Sequence, residues 1–375
     1  MNRIKFTLLF LLISISSIAQ VIEDISFGTD VTLEVVTWNI ERFPKNNQTT
    51  IDQVARVIKA IDADVYAVQE IDDILSFNSL MASLPEYDSY ITSDKFRGLA
   101  YIYKKSTITV NSAYEIYNSN TFWSPFPRYP MVLDFNFKNE RYVIINNHLK
   151  CCGDGILNTT NTSDEENRRL NATRLLKEYM DDNLSDVNVF LVGDFNDHIH
   201  DVRAHNVFQE FIDDSEDYVF ADMDIANGTN TNWSFPSWPS HLDHILITNE
   251  LFDEFQLNTT VVETIKVDDY VGGWNNYDTN ITDHRPVAIK FTPSATLSID
   301  NLTLNSIEFK SYPNPISNQT TFSIKNVSGV KSLRILDVLG REVFKSSAIK
   351  DKNYVWNRTS LPSGMYFAKL YANNQ

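Results

Sequence analysis

Six short polar motifs fall, in order, at or just beyond apolar strand-like runs between residues 37 and 286. They are Thr37-Trp38-Asn39-Ile40-Glu41, Gln69-Glu70, Asn146-Asn147-His148-Leu149-Lys150, Val192-Gly193-Asp194-Phe195-Asn196-Asp197, Ser240-His241-Leu242-Asp243-His244-Ile245 and Thr282-Asp283-His284-Arg285-Pro286. The runs Val31–Thr37, Val65–Val68, Tyr142–Ile145, Val187–Val192, Ile245–Ile247 and Val287–Phe291 read as strands. Ile51, Val54, Ile58 and Ile61 share one helical face, as do Ala172, Leu175, Leu176 and Tyr179 after the acidic start Asp164-Glu165-Glu166. Strand-like and helix-like segments alternate from residue 31 to 292, which predicts an α/β domain. In such sheets ligands gather outside the carboxyl ends of strands, where Asn39, Glu70, His148 and Asp194 are expected.

Length and composition allow a large domain and a smaller one. The chain has 375 residues, 43% of them hydrophobic and 12% aromatic, enough for a packed core. Arg3 and Lys5, the apolar stretch Phe6–Ile18 and Ser17-Ile18-Ala19 read as an export signal over residues 1–19. No later segment approaches the ~20 apolar residues of a membrane span, so an exported protein without stable membrane insertion is expected. Residues 20–308 carry 20 basic against 46 acidic side chains, a net charge of −26, whereas residues 309–375 carry ten against three. Two modules follow from that asymmetry. A polyanionic substrate would need a local basic lane, or cations, to approach the first.

Cys151 and Cys152 are the only cysteines, and they are adjacent. Their Cα atoms, ~3.8 Å apart, leave a strained vicinal bridge or two reduced thiols as the alternatives. Residues 294–308 are rich in Ser, Thr and Asn and read as a linker. Beyond them Thr321–Ile324, Ser332–Val338, Glu342–Lys345 and Met365–Leu370 predict a small β-sandwich, separated by Leu339-Gly340 and Pro362-Ser363-Gly364.

Carboxylates, amides and imidazoles from separate strand ends are what phosphoester hydrolysis with a hard metal ion requires. Mg²⁺-class ions take oxygen ligands and keep several waters, so Glu70 is expected as the direct ligand, with Asn39 beside it. Asp194 can accept a proton or orient a water, and Asn196 can donate to a phosphate oxygen. His284 supplies an imidazole whose tautomer Asp283, Asp243 or another acid would fix, and His148 supplies a second. Arg128 is the candidate phosphate clamp, and Arg97, Lys150, Arg168 and Arg169 could extend a basic lane. Trp123, Trp233, Trp238 and Trp274 could form a rim. The cluster His198, His200, Asp201 and His205, and the acidic stretch Asp213–Asp217 with Asp222 and Asp224, read as solvated surfaces.

These motifs resemble the endonuclease/exonuclease/phosphatase superfamily, the deoxyribonuclease I-like fold, over roughly residues 31–292. The resemblance implies a four-layer α/β sandwich, two central sheets flanked by helices, and Mg²⁺-dependent hydrolysis, with Mn²⁺ or Ca²⁺ as substitutes. It implies Asn39 and Glu70 as the metal pair, and Asp194 and Asn196 as the nucleophile-orienting and phosphate-binding pair. Asp243 resembles the acid of the family's Ser-x-x-Asp strand, and Asp283 and His284 its terminal catalytic pair. His148 and Arg128 match its secreted deoxyribonuclease-like branch, as a proton-transfer group and a phosphate contact.

The tail resembles a type IX secretion sorting domain through Tyr312-Pro313-Asn314-Pro315, the Leu333–Phe344 region and Leu361-Pro362-Ser363-Gly364-Met365-Tyr366. Such tails usually end in another strand with terminal basic residues, whereas this sequence stops at Tyr371-Ala372-Asn373-Asn374-Gln375, which suggests truncation. The expected organisation is a signal peptide (1–19), a catalytic domain (20–293), a linker (294–308) and a sorting domain (309–375). A monomeric nuclease of the cell surface or medium is the first expectation, with nucleic acid as substrate and the secretion machinery as partner. A sphingomyelinase-type or inositol-phosphate phosphoesterase uses the same motifs and stands as the alternative. An inert surface-binding module fits less well, because every expected polar group is present.

Overall fold

A computed structural model describes residues 20–92, 98–293, 308–325, 331–359 and 361–372. The signal segment and all but the last residue of the expected linker lie outside them. By internal contacts the chain divides into two units, Met1–Ser294 and Ala295–Gln375.

Among the described residues the first unit holds twelve strands: β1 (Leu33–Phe43), β2 (Val65–Ile71), β3 (Tyr87–Ile91), β4 (Gly98–Lys104), β5 (Ile108–Glu115), β6 (Met131–Phe137), β7 (Glu140–His148), β8 (Asn188–Asp194), β9 (Tyr218–Phe220), β10 (Asp243–Thr248), β11 (Val261–Thr264) and β12 (Val287–Phe291). They form two six-stranded mixed sheets, ordered β11-β12-β1-β2-β4-β3 and β5-β6-β7-β8-β10-β9. The principal helices are α1 (Asn47–Ile61), α2 (Ile74–Ala82) and α3 (Glu165–Asn183).

Successive side chains of a strand face opposite ways, so a strand buried on both faces reads as an unbroken apolar run. In β1 and β2, Val35, Val65 and Ala67 face the second sheet, where they meet Leu133, Phe135, Ile144 and Phe190. Val36, Trp38 and Val68 face the other way, against Ile51, Val54 and Ile58 of α1 and Phe77 and Leu80 of α2. On the far side, Val143, Ile145, Val189 and Leu191 pack on Leu170, Ala172, Leu176 and Met180 of α3. Helix, sheet, sheet, helix: the four layers are those expected from the resemblance.

Polar groups also bridge the layer between the sheets. Gln69 Nε2 donates to Asn146 Oδ1 at 2.8 Å, and Asn146 Nδ2 donates to the carbonyls of Val68 and Ala100 at 3.1 and 3.2 Å. The Tyr101 hydroxyl accepts the Asn146 N–H at 2.8 Å and lies 2.7 and 2.8 Å from the carbonyls of Met131 and Ile144. All three side chains are buried.

Among the described residues, the second unit contains two three-stranded antiparallel sheets. One joins Glu308–Tyr312, Gln319–Lys325 and Asn353–Asn357; the other joins Lys331–Leu336, Glu342–Ile349 and Phe367–Ala372. Phe322, Ile324, Leu333, Ile335, Ile349 and Trp356 form their shared core. No helix among the described residues is long and apolar enough to cross a membrane.

Glu34, at the start of β1, is fully buried; its carboxylate accepts the Thr29 N–H at 3.1 Å, and its own N–H donates to Asp64 Oδ2 at 3.2 Å. Burial first, and Asp64 second, push its carboxyl up to about 8. The folded protein therefore holds a proton that the unfolded chain releases near its ordinary ~4.5, and that contribution to stability declines as pH rises from ~4.5 to ~8. Glu34→Gln should flatten the fall in Tm across this window. Parallel Tm profiles for wild type and variant would contradict the assignment.

Candidate active site

The first sheet supplies Asn39 and Glu70. β1 and β2 run parallel with Asn39 opposite Gln69, and the register then skips to Phe43 opposite Ile71. The slip is a bulge in which Glu41 and Arg42 take φ of 29° and 47°, and Glu70 takes 66°. Left-handed backbone at residues other than glycine persists only where surrounding contacts hold it. Here the Arg42 N–H donates to Glu70 Oε2 at 3.1 Å. Asn39 Nδ2 lies 3.5 Å from Glu70 Oε1 and donates to Asp194 Oδ2 at 2.9 Å, while its Oδ1 accepts the Glu41 N–H at 2.9 Å. Asn39 thus presents its amide nitrogen to the two acids, and its oxygen is already engaged.

The second sheet supplies His148, Asp194 and Asp243. β7 and β8 run parallel with His148 opposite Asp194, and antiparallel β10 sets Asp243 opposite Asp194 from the other side. This pairing requires Gly193: at φ 146°, an added Cβ would sit 1.8 Å from the Asn147 carbonyl oxygen. His148 Nε2 lies 3.4 Å from Asp194 Oδ2 and 3.9 Å from Glu70 Oε1. Asn196, at φ 54°, donates its N–H to Asp194 Oδ1 at 3.0 Å and its Nδ2 to the Leu149 carbonyl at 3.2 Å.

His284 arrives on the segment before β12 and closes the site. Its Nδ1 pairs with Asp243 Oδ2 at 2.7 Å, so Asp243, and not adjacent Asp283, fixes the ring. Nε2 then faces Asp194 Oδ2 at 3.9 Å and Asp283 Oδ1 at 3.8 Å. Trp38 Nε1 and the Tyr277 hydroxyl donate to the His284 carbonyl at 3.0 and 2.6 Å, and the Thr282 hydroxyl donates to the Asn39 carbonyl at 2.8 Å. Burial opposes charge on the ring, but Asp243 and Asp194 outweigh it and hold the imidazole well above its ordinary range. Burial, together with the neighbouring Asp243 and Glu70 charges, pushes Asp194 up to about 7, against the lowering pull of His284 and Asn39.

Glu70, Asp194, Asp243 and Asp283 thus converge on two imidazoles, and oxygens of Asp194 and Asp243 lie within 4.8 Å of a His284 nitrogen. Asp243 Oδ1 and Asp283 Oδ1 are buried without hydrogen bonds. An oxygen-rich donor set with two buried, unbonded carboxylate oxygens fits a hard divalent cation. A second buried cluster, Asp222, His241 and His244, does not. The Ser234 N–H donates to His241 Nδ1 at 3.2 Å, which leaves the proton on Nε2, 3.0 Å from Asp222. His244 faces acceptors at both nitrogens, Asp222 Oδ2 at 2.5 Å and the Asp197 carbonyl at 3.0 Å, so it is an imidazolium. No nitrogen lone pair remains there for a metal.

Other expected residues are placed differently. Asp222 is buried in that network and does not belong to a solvated loop, because both histidines and the Ile245 N–H satisfy its carboxylate. Arg169 is also buried; it pairs with Glu166 and Asp197 at 3.1 and 2.7 Å, so it braces the fold and adds nothing to a basic lane. Arg128 lies with Lys150 and Arg168 in a neighbouring recess, and Arg97 lies outside the described residues. The His198–His205 residues belong to no ligand cluster among the described residues. Trp123 and Trp238 are exposed, whereas Trp233 and Trp274 are half-buried. Cys151 and Cys152 are unbridged, with Sγ atoms 3.0 Å apart.

Several supporting residues gave little sequence signal. Asp268 holds Arg285 bidentately at 2.8 and 2.6 Å, and the Arg285 N–H donates to the Ser234 carbonyl at 2.7 Å. Ser234 Oγ in turn accepts the Leu242 and Asp243 N–H groups at 3.1 and 3.2 Å. The Asp283 N–H donates to Glu41 Oε2 at 3.2 Å. An Arg-Pro dipeptide after the Asp-His pair is the one hint of this bracing.

Residues 36–284, more than half of the chain, match the family described as Endonuclease/Exonuclease/phosphatase, and residues 310–375 match the secretion system C-terminal sorting domain. Among solved structures, D. rerio TDP2 complexed with single strand DNA product is 13% identical, covering 70% of this chain and 99% of that one with a TM-score of 0.52. Humanized D. rerio TDP2 with 14 mutations is 12% identical, covering 69% and 98% with a TM-score of 0.51. At such identities the likeness concerns the fold. An endo-acting ulvan lyase of Formosa agariphila is 32% identical over 79 residues, which span 21% of this chain and only 15% of that protein.

The contact between Asp243 and His284 gives a directional prediction. Asp243→Asn removes the anion that most strongly favours the charged ring, so the His284 pKa should fall. Imidazole titration by NMR would read the shift, and an unchanged pKa would contradict the pairing.

Proposed function

The chain belongs to the Endonuclease/Exonuclease/phosphatase family, and we propose that its first unit is an exported, divalent-metal-dependent phosphodiesterase that cleaves DNA or RNA. The observation that carries the reading is the meeting of Glu70 from one sheet with Asp194, Asp243 and His148 from the other, closed by His284. The sorting domain supports export to the cell surface or medium.

Glu70 would hold the metal, with Asp194 and Asp283 close by and Asn39 orienting the carboxylates through its amide. Bound there, a hard divalent ion would polarise a phosphoryl oxygen and offset developing charge. Asp194, between the two imidazoles and pushed up to about 7, is suited to orient the attacking water and take its proton. His284, kept cationic by Asp243, would donate from Nε2 to a phosphoryl oxygen. His148, across Asp194 from His284, would serve the second proton transfer. Asn196 has one amide hydrogen committed to Leu149 and a second to offer a phosphate oxygen. Arg128 would contact an adjoining phosphate.

Residues 20–293 and the full chain should both nick supercoiled plasmid in Mg²⁺ at low salt. EDTA should abolish nicking, and His284→Ala should lower kcat by about 10²–10⁴-fold with folding unchanged. Wild-type rates in the variant would overturn the site. Intact plasmid beside headgroup release from sphingomyelin vesicles would move the substrate to a phospholipid.

A further inference from the structure

Beside the catalytic cleft lies a recess of about 470 Å³ lined by Asn120, Trp123, Arg128, Tyr129, Lys150 and Arg168, among others. Its cations come from three places: the loop before β6, the exit of β7 and the first turn of α3. No carboxylate lines it, although residues 20–308 carry 46 acidic side chains. Glu165 approaches it, with Oε1 3.8 Å from Lys150 Nζ. In a segment of net charge −26, three cations around one acid-free hollow form a local electropositive well.

The hollow also has a flat aromatic wall. Trp123 is 61% exposed, and the Arg168 guanidinium carbon lies 5.3 Å from its ring centroid. Arg168 Nε donates to the Ser124 carbonyl at 2.7 Å, which fixes the guanidinium and leaves Nη1 and Nη2 with no hydrogen bond to a described residue. Lys150 follows His148 by two residues, so its Cα lies at most ~7 Å along the chain from that of the catalytic imidazole. From behind, Arg169 Nη1 donates to the Lys150 and Cys152 carbonyls, each at 2.7 Å, and anchors the segment.

We propose that this recess seats the nucleotide next to the scissile phosphodiester, with its phosphate between Lys150 and Arg168 and its base against Trp123. The inference rests on the nuclease reading and narrows it. A base must be unstacked to reach an exposed indole, so the recess selects single strands and frayed ends over paired duplex. Lys150, Arg168 and Trp123 are specificity-determining residues and lie outside the group that carries the chemistry. A choline could also meet an indole face by cation–π attraction, but the Arg168 guanidinium already lies over this ring, and Arg128, Lys150 and Arg168 repel an ammonium where they attract a nucleotide's phosphates.

Two measurements on the full chain separate this inference from the reading beneath it. The first compares wild type, Arg168→Ala and Trp123→Ala on bis(p-nitrophenyl) phosphate, which lacks an adjoining nucleotide, and on a single-stranded hexanucleotide. Each variant should raise KM for the hexanucleotide roughly ten- to hundredfold and leave the small diester unaffected. Equal losses on both substrates, or none on either, would overturn the recess as a nucleotide subsite. With sphingomyelin vesicles as a third substrate, a loss confined to their turnover would do the same.

The second measures equilibrium binding of a fluorescein-labelled hexanucleotide in EDTA, where cleavage is silent. Both variants should bind roughly ten- to hundredfold more weakly than wild type. Affinity equal to wild type would sink the subsite even if the protein cleaves DNA. Weaker binding by the variants, beside a wild type that cleaves no nucleic acid, would uphold the recess and retire the nuclease reading.

Discussion

The amide pair between Gln69 and Asn146 is the contact on which the geometry of the site depends. Each residue is buried between the sheets, where an unpaired amide costs several kcal/mol, about 2–7 by transfer scales. Their partners are therefore obligatory, and a strand slip of one residue would turn each amide to the opposite face. Glu70 follows Gln69 directly, and His148 lies two residues beyond Asn146. Pairing the amides sets the two half-sites at the separation seen between Glu70 and His148, 3.9 Å. Tyr101 completes the clamp by tying β4 to the backbone of β6 and β7.

The electrostatics of the unit then sort two buried clusters into different roles. Behind the site, Asp222 is satisfied by His241, His244 and the Ile245 N–H, and His244 reaches the Asp197 carbonyl. That network is closed on itself and holds β10 to the loop after β8. At the site, among the described residues, four carboxylates meet two imidazoles, and Asp243 Oδ1 and Asp283 Oδ1 go without hydrogen bonds. One arrangement is complete within the chain. The other leaves carboxylate oxygens open to the cation we propose there, and this difference follows from hydrogen-bond geometry, since acids and imidazoles occur in both.

Much of the fold was legible in the sequence, because strands buried on both faces leave long apolar runs. Val287–Phe291 matches β12 at both ends; α1 was found from its apolar face, short of its polar first turn, and α3 from its acidic start as well as its apolar face. β1 runs on to Phe43 where the sequence suggested Thr37, since the polar residues of its bulge interrupt the pattern. β3 and β5 have mixed, half-exposed faces and gave no clean signal. At the site, residue types at strand ends picked out acids that the fold brings together, but pairings across long separations were beyond reach. Asp283 adjoins His284 in sequence, yet Asp243, 41 residues away, takes Nδ1. Asp222 looked like part of an acidic surface because nothing local marks a carboxylate that two distant histidines will enclose.

The most direct test of a metal held at the meeting of the two sheets is an anomalous difference map from crystals of the protein soaked in Mn²⁺. A peak is predicted at coordination distance, about 2 Å, from a Glu70 carboxylate oxygen, with Asp194 and Asp283 nearby. A peak confined to Asp222, His241 and His244, or no peak at Glu70, would contradict it.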